Sequence, residues 1–186
     1  MKTQTGFTLV ELMIALAVFA ITVTFAIPNL REFIQNNRLI SQTNDMSSSL
    51  HLARSEAVKR KQTVTICGSN NSSTCNTPAW EQGWIVFVDV DGDGVVDGGT
   101  DEILRVSGAL SGANTLRTIS FTSTARVQYN SQGAIDSTGS FTLCDTRGAL
   151  TARAININIT GRARQASDDT NSTIVNDVDG SDVTCP

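Results

Sequence analysis

Residues 6–27 read GFTLVELMIALAVFAITVTFAI, and the interpretation of the whole chain begins with this stretch. Between Phe7 and Ile27, 17 of 21 residues are apolar. A helix of this length spans roughly 31 Å, the thickness of a bilayer core. The run is too long for a secretory signal peptide, and Lys2 precedes it, which favours a cytoplasmic amino end. Residues 7–27 are therefore predicted to form a membrane-spanning helix.

Glu11 is an ionisable residue within this apolar run. A carboxylate at such a position is costly, so it indicates a function or a partner. The alternative is a plain single-span anchor whose Glu11 side chain reaches the membrane surface. The residues themselves leave both interpretations open.

The sequence MKTQTGFTLVE at residues 1–11 resembles the type III signal of type IV prepilins and pseudopilins. The resemblance implies that residues 1–6 are a leader, which prepilin peptidase removes by cutting after Gly6. It also implies N-methylation of the new amino terminus, Phe7. In the filament, the carboxylate matching Glu11 pairs with the terminal amine of a neighbouring subunit.

Residues 28–61 are predicted to continue the helix in amphipathic form. Apolar residues recur there at spacings of three and four, and the basic residues at 59–61 suit the negative end of a helix dipole. Pro28 is expected to kink or restart the helix. The small residues of 41–49 favour packing on a sheet over a coiled coil.

Short β-type runs separated by Gly, Asn, Ser and Asp follow the helix and predict a β-rich head over residues 62–186. The fold class is therefore α+β: a long amino-terminal helix, transmembrane in its first half, on antiparallel sheet. The motifs RSEA at 54–57 and GWIVF at 83–87 resemble the GspH/FimT branch of minor pilins, which implies the type IV pilin fold. Strands are expected at 63–67, 84–90, 102–106, 118–122, 126–130, 140–145 and 153–160.

None of the four cysteines lies in a Cys-x-x-Cys spacing, so the sequence lacks the zinc-ribbon and thioredoxin motifs. Four cysteines allow three pairings. We favour Cys67–Cys75, which closes a short loop, and Cys144–Cys185, which ties the tail to the sheet. Buried free thiols are the alternative. Disulfides suit a head that has crossed an inner membrane into an oxidising compartment.

The sequence DVDGDG at 89–94 fits the first half of a calcium-loop pattern. The second half fails, because Thr100 stands at the twelfth position, where a bidentate Glu is expected. The alternative is a solvated hairpin loop with Asp-Gly turns. We expect no bound metal, and the candidate ligands for a weak calcium site are Asp89, Asp91, Asp93 and Asp97.

Charge is strongly segregated along the second half of the chain. Residues 105–164 hold seven arginines against two acids, a net charge of +5, whereas residues 165–186, here called the acidic tail, hold five aspartates and no base. Gly161-Arg162-Ala163-Arg164 is similar to the GRxR motif of FimT-type pilins. That resemblance implies binding of extracellular DNA through Gly161, Arg162 and Arg164, with Arg147 and Arg153 as further candidates. The alternative is pairing of the arginines with Asp168 and Asp169.

Composition argues against catalysis. A single histidine, His51, excludes sites that need two, and the sequence offers no recognisable nucleophile–base pair, so we expect neither enzymatic activity nor a cofactor.

The resemblance implies a minor pilin that helps pilus assembly and binds double-stranded DNA in natural transformation. Expected partners are major and minor pilins and prepilin peptidase. The precursor is expected in the bacterial inner membrane, and the mature head in the periplasm or outside the cell. The alternative is a GspH-like pseudopilin of a type II secretion system without a DNA role.

Overall fold

The computed structural model describes residue 6, residues 8–170 and residues 172–186. Helix α1 spans Leu9–Arg60, and Pro28 lies inside it without interrupting it, so the proline does not restart the helix. The helix ends where Lys61 takes a φ of 56°, in the left-handed region that cannot continue a right-handed helix. The chain divides into two compact units, one up to Arg38 and one from Leu39 to Pro186.

The first unit is the apolar part of α1. An 18-residue window has a mean hydropathy of 2.4, and α1 is long and apolar enough to cross a membrane. Its large side chains are exposed along the whole segment; Phe19, for example, is 65% exposed and Phe25 69%. Such a surface needs an apolar environment, either lipid or other helices.

The second unit contains two antiparallel four-stranded sheets in its described residues. The first has the strand order β3-β2-β1-β5 and the second β4-β6-β7-β8. The strands are β1 (Thr63–Gly68), β2 (Trp84–Asp89), β3 (Glu102–Ser107), β4 (Thr115–Ile119), β5 (Arg126–Tyr129), β6 (Gly139–Cys144), β7 (Arg153–Ile157) and β8 (Ala163–Gln165). The α+β fold class, with a long helix and antiparallel sheet, is confirmed.

The main core lies between the second half of α1 and the two sheets. Leu50, Ala53 and Ala57 of α1 are fully buried in one cluster with residues of both sheets. The indole N–H of Trp84 on β2 donates to the Ser49 hydroxyl across 2.9 Å. Thr43 and Ser49, two of the small residues of 41–49, are buried on this face, in line with the predicted packing on a sheet.

A smaller apolar cluster covers the outer face of each sheet, and each cluster includes one disulfide. Cys67 and Cys75 lie with Phe87 outside the first sheet. Cys144 and Cys185 lie with residues of β7 and the acidic tail outside the second. This pairing is the one favoured from the sequence, and it fastens the acidic tail to the second sheet.

Two predicted strands are displaced and one was missed. β4 occupies Thr115–Ile119 instead of 118–122, because Ser120 has a φ of 65° and breaks the extended backbone. β7 ends at Ile157 instead of 160, and the chain turns back to form β8, which the sequence did not predict. At both places the chain leaves the extended conformation through a residue with a positive φ, Ser120 or Gly161.

Candidate functional site

The residues between β7 and β8 form a tight turn that carries the predicted DNA-binding motif. We call residues 158–164 the arginine turn. The Gly161 N–H donates to the Asn158 carbonyl across 2.8 Å. The Asn158 side-chain oxygen accepts the Arg162 N–H at 3.0 Å and the Thr160 hydroxyl at 2.7 Å. Asn158 thus closes the turn with both its backbone and its side chain.

Gly161 is required in this turn for two separate reasons. Its φ of 72° is a conformation that residues with a side chain rarely adopt. A Cβ at this position would lie 2.0 Å from the Gly133 carbonyl oxygen and 3.0 Å from a ring carbon of Tyr129. The glycine of the GRxR motif is therefore explained by backbone packing.

Arg162 and Arg164 are both exposed, while Gly161 and Ala163 beside them are buried. Buried and exposed residues thus alternate along the motif, and both guanidinium groups are presented to solvent. Among the described residues neither arginine forms an ion pair. β8 is an edge strand, so one side of this segment is open to a partner.

Arg54 of α1 holds the arginine turn against the rest of the head. Its Nε donates to the Gly133 carbonyl at 3.0 Å, and its Nη2 donates to the Thr160 carbonyl at 3.1 Å. The sequence marked Arg54 only as part of a family-like motif. Its structural role was missed because the two acceptors are backbone carbonyls that lie 79 and 106 residues away in the chain.

Arg147 and Arg153 lie at the opposite end of β7 from the arginine turn. Arg147 donates to Asp145 at 2.6 Å, and Arg153 is half-buried opposite Leu143 on β6. Although burial alone would raise the pKa of Asp145, hydrogen bonds from Arg147 and Thr151 bring it below its ordinary value. The length of β7 separates the two ends by roughly 13 Å. The structure therefore brings Arg162 and Arg164 together but not Arg147 or Arg153 with them.

The carboxylates of the acidic tail are used within the head and do not pair with the arginine turn. Asp168, for example, accepts the Thr173 N–H at 2.8 Å and the Thr170 N–H at 3.0 Å. Asn156, which lies opposite Arg164 in the strand register, donates to a carbonyl of the tail, so Arg164 shares a sheet face with the tail. Every aspartate of the tail accepts such a bond: Asp168, Asp169, Asp177, Asp179 and Asp182.

The candidate calcium ligands are only partly brought together. Carboxylate oxygens of Asp89, Asp91 and Asp93 lie within 4.8 Å of one another, whereas Asp97 is outside this group. Asp89 is fully buried and already accepts hydrogen bonds from Thr65 at 2.6 Å and from the Gly94 N–H at 3.0 Å. Burial and the neighbouring carboxylates raise the pKa of Asp97. The loop is thus organised around Asp89 by groups of the chain itself.

At the amino end, Thr8 and Glu11 form a reciprocal cap of α1. The Glu11 N–H donates to the Thr8 hydroxyl at 3.2 Å, and the Thr8 N–H donates to the Glu11 carboxylate at 2.9 Å. This is a capping box, which satisfies donors that the first turn of a helix leaves free. Gly6 is exposed, and Phe7, the predicted methylation site, lies outside the described residues.

Comparison with known proteins identifies the family. The model of the family described as Type II transport protein GspH matches residues 42–161. The chain belongs to the GspH family. The model of the prokaryotic N-terminal methylation motif matches residues 1–27, so this GspH-family chain carries that motif as well. It is a type IV minor pilin or pseudopilin of the GspH/FimT kind.

Relatives and solved structures agree with this assignment. Two curated proteins of Pseudomonas aeruginosa, each called "Fimbrial protein", are 29% identical over 120 residues, which is 61% of this chain and 74% of each relative. Two crystal structures of the type IV minor pilin FimU from P. aeruginosa share the fold. The first has a TM-score of 0.57 at 20% identity over 73% of this chain and 92% of that chain. The second has a TM-score of 0.54 at 19% identity and covers 69% of this chain and 93% of that chain.

The GspH-family match ends at Gly161, so Arg162, Arg164 and the acidic tail follow the matched range. Arg54, Gly133 and the first part of the arginine turn, residues 158–161, lie inside it. The scaffold of the arginine turn thus belongs to the shared fold, whereas the two exposed guanidinium groups stand immediately beyond it.

Proposed function

We propose that the chain is a minor pilin of a type IV pilus whose head binds double-stranded DNA for natural transformation. The observation that carries the proposal is the pair of exposed, unpaired arginines on a rigid turn, described above for the part of the chain that the structure covers. Guanidinium groups bind phosphates well, and contacts to phosphate carry no sequence information. The role is one of assembly and binding, and no catalysis is proposed.

The proposal includes processing and assembly. Prepilin peptidase cuts after Gly6, the new amino terminus at Phe7 is methylated, and the precursor waits in the bacterial inner membrane. The apolar helix of residues 7–27 then enters a filament with other major and minor pilins, and residues 28–61 carry the head of residues 62–186. There Glu11 receives the terminal amine of a neighbour, because a carboxylate among apolar helices needs a cation. The head faces the periplasm or the cell exterior.

The hydrogen-bonded turn explains how two arginines can suffice for weak binding of DNA. Arg54, Asn158 and Gly161 fix the backbone before DNA arrives, so binding requires little ordering of the loop. If about two phosphates are neutralised, log affinity should fall against log salt with a slope of roughly −2. Several copies on one filament and long DNA would add avidity.

The test compares two double variants of the full chain in an uncharged detergent. In Arg162→Gln with Arg164→Gln, the two exposed charges are removed. The matched control, Arg105→Gln with Arg117→Gln, removes two charges from arginines that are already paired with Asp45 and Glu81. Binding to a labelled duplex is measured by fluorescence anisotropy at several salt concentrations.

We expect the first variant to lose most of its DNA affinity and most of the salt dependence of that affinity. The control variant should retain both. The buried tryptophans Trp80 and Trp84 report head folding by near-ultraviolet circular dichroism. An exposed arginine contributes little to stability, so the first variant should melt like wild type. Wild-type affinity in the first variant at low salt, or its unfolding, would refute the proposed DNA site.

The family description favours a second candidate, a pseudopilin of a type II secretion system. In that role the same anchor and head build a short periplasmic filament, and the arginine turn contacts a neighbouring subunit. A deletion strain separates the candidates. Loss of piliation and transformation supports the pilus assignment, whereas loss of secretion with intact pili supports the second candidate.

A further inference from the structure

A groove lies beside the arginine turn, between α1 and the turn that follows β5. It encloses about 630 Å³ and is lined by His51, Arg54, Ser55, Val58, Lys59 and Gln132. Three of these six side chains are basic in type and none is a carboxylate. The nearby Glu56 pairs with Lys59 at 3.1 Å and with Arg60 at 2.7 Å. Arg54 therefore gives the groove its cationic character, and His51 adds an imidazole N–H that can donate a hydrogen bond.

Arg54 lines the groove and also holds the arginine turn. Its Nε and Nη2 hold the carbonyls of Gly133 and Thr160, whereas its Nη1 makes no hydrogen bond within the described chain. Thr160 is two residues before Arg162. Arg54 and its groove therefore lie at the same end of the second sheet as the arginine turn.

The groove wall is rigid. A Cβ on Gly133 would lie 2.8 Å from a methyl carbon of Val58 and 3.2 Å from Cγ of Arg54, so the turn after β5 rests directly on α1. The Asn130 side chain closes that turn by accepting the N–H groups of Gln132 at 2.9 Å and Ala134 at 3.0 Å. The Gln132 side chain is exposed at the rim of the groove.

We propose that the DNA backbone runs from the arginine turn into this groove, where Arg54 and His51 contact a further phosphate. The inference deepens the proposed function and rests on it. Charge complementarity selects the occupant: a polyanion with regularly repeated phosphates fits an open, cationic, carboxylate-free channel. A second contact surface would also fix the direction in which DNA crosses the head.

Gln132 allows a test with nearly constant shape, again with the full chain in an uncharged detergent and a labelled duplex. Gln132→Glu is isosteric and adds a negative charge at the rim, and Gln132→Lys adds a positive one. The controls for net charge are Thr100→Glu and Thr100→Lys, which add the same charges at an exposed residue of the acidic β2–β3 loop. Trp80 and Trp84 again report whether the head is folded.

We expect Gln132→Lys to tighten DNA binding by about two- to fivefold, the effect of one exposed ion pair, and Gln132→Glu to weaken it similarly. The salt slope should steepen by about 0.9 with Gln132→Lys, since one more phosphate is contacted. The Thr100 variants should leave the slope unchanged.

Three outcomes would overturn the inference. If the Gln132 and Thr100 variants behave alike while Arg162 and Arg164 remain essential, the groove is not on the DNA path and the proposed function stands. If Gln132 variants change incorporation into pili but not DNA affinity, the groove receives an acidic segment of a neighbouring pilin. If the wild-type chain does not bind DNA at low salt, the proposed function fails together with the inference.

Discussion

At the scale of single residues, Gly161 joins backbone conformation to the proposed function. Its side-chain-free α-carbon allows both a left-handed φ and close contact with the Gly133 carbonyl. Arg162 and Arg164 are thereby held at a fixed place on the edge of the second sheet. One glycine thus sets the backbone position from which two charged side chains project.

Gly161→Ala should destabilise the head by about 1–3 kcal/mol and lower DNA affinity, because strain and overlap must displace the turn. Gly180→Ala is the matched control, since Gly180 has a φ of 81° but a Cβ added there would meet no heavy atom within 4 Å. Urea unfolding and duplex binding are measured for both. Equal losses in the two variants would show that backbone strain alone matters and that the contact with Gly133 does not.

Glu11 forms the capping box with Thr8 and, in the proposed assembly, also receives the amine of a neighbouring subunit; two variants separate these roles. Glu11→Gln keeps an acceptor for the Thr8 N–H and so preserves the capping box, whereas Glu11→Ala removes both cap and charge. We expect cleavage after Gly6 in both variants, because recognition there centres on the glycine. If the proposed pairing of this charge with a neighbour's amine is right, both variants should enter sheared pili poorly. Normal incorporation of Glu11→Gln would assign Glu11 to capping alone.

At the scale of elements, the periodicity of the sequence predicted α1 and most strands well. Hydrophobic spacing of three and four predicted the buried residues Leu50, Ala53 and Ala57 of α1, although apolar residues earlier in the predicted stripe are exposed, such as Leu30 and Phe33. The β-type runs predicted β1, β2, β5 and β6 to within two residues at each end. The misplaced β4 and the missed β8 both depend on left-handed residues, Ser120 and Gly161. The role of Arg54 was invisible for a different reason: its acceptors are backbone carbonyls, which leave no mark in sequence.

The connection from β6 to β7 gives a pH prediction. Asp145 accepts hydrogen bonds from Arg147 and Thr151, which hold its pKa below the unfolded value. A carboxyl whose pKa is lowered by folding stabilises the head above its unfolded pKa of about 3.9 and loses that effect as pH falls through the folded value. Asp145→Asn should therefore be less stable than wild type at pH 7.

The stability difference between Asp145→Asn and wild type should shrink as pH falls below about 4, where wild type is protonated too. Urea unfolding at a series of pH values, followed by circular dichroism of the buried tryptophans, measures it. Asp136→Asn, at an exposed aspartate before β6, is the control. A difference that persists unchanged at pH 2 would mean that Asp145 stabilises the turn by shape and not by charge.

At the scale of the whole molecule, a net charge of −4 coexists with a proposed polyanion-binding surface. The tail carboxylates accept hydrogen bonds inside the head, and among the described residues none of them forms an ion pair with Arg162 or Arg164. Asp169 accepts the Ser167 hydroxyl at 2.9 Å, and Asp179 accepts the Ser120 hydroxyl at 2.6 Å. Their charges nevertheless remain, and the tail begins at Gln165, the last residue of β8. The tail should therefore repel DNA at long range without covering the arginine turn.

This repulsion is testable with Asp169→Asn combined with Asp179→Asn, which changes the net charge from −4 to −2 and keeps an acceptor for each serine. DNA affinity should rise several-fold at low salt, and the gain should vanish near physiological salt, where the Debye length is about 8 Å. Asp91→Asn with Asp93→Asn, in the β2–β3 loop of the first sheet, makes the same charge change outside the tail and should have less effect. A gain that persists at high salt would indicate direct contact between tail and arginines in solution, whereas equal gains from both pairs would reduce the role of the tail to net charge.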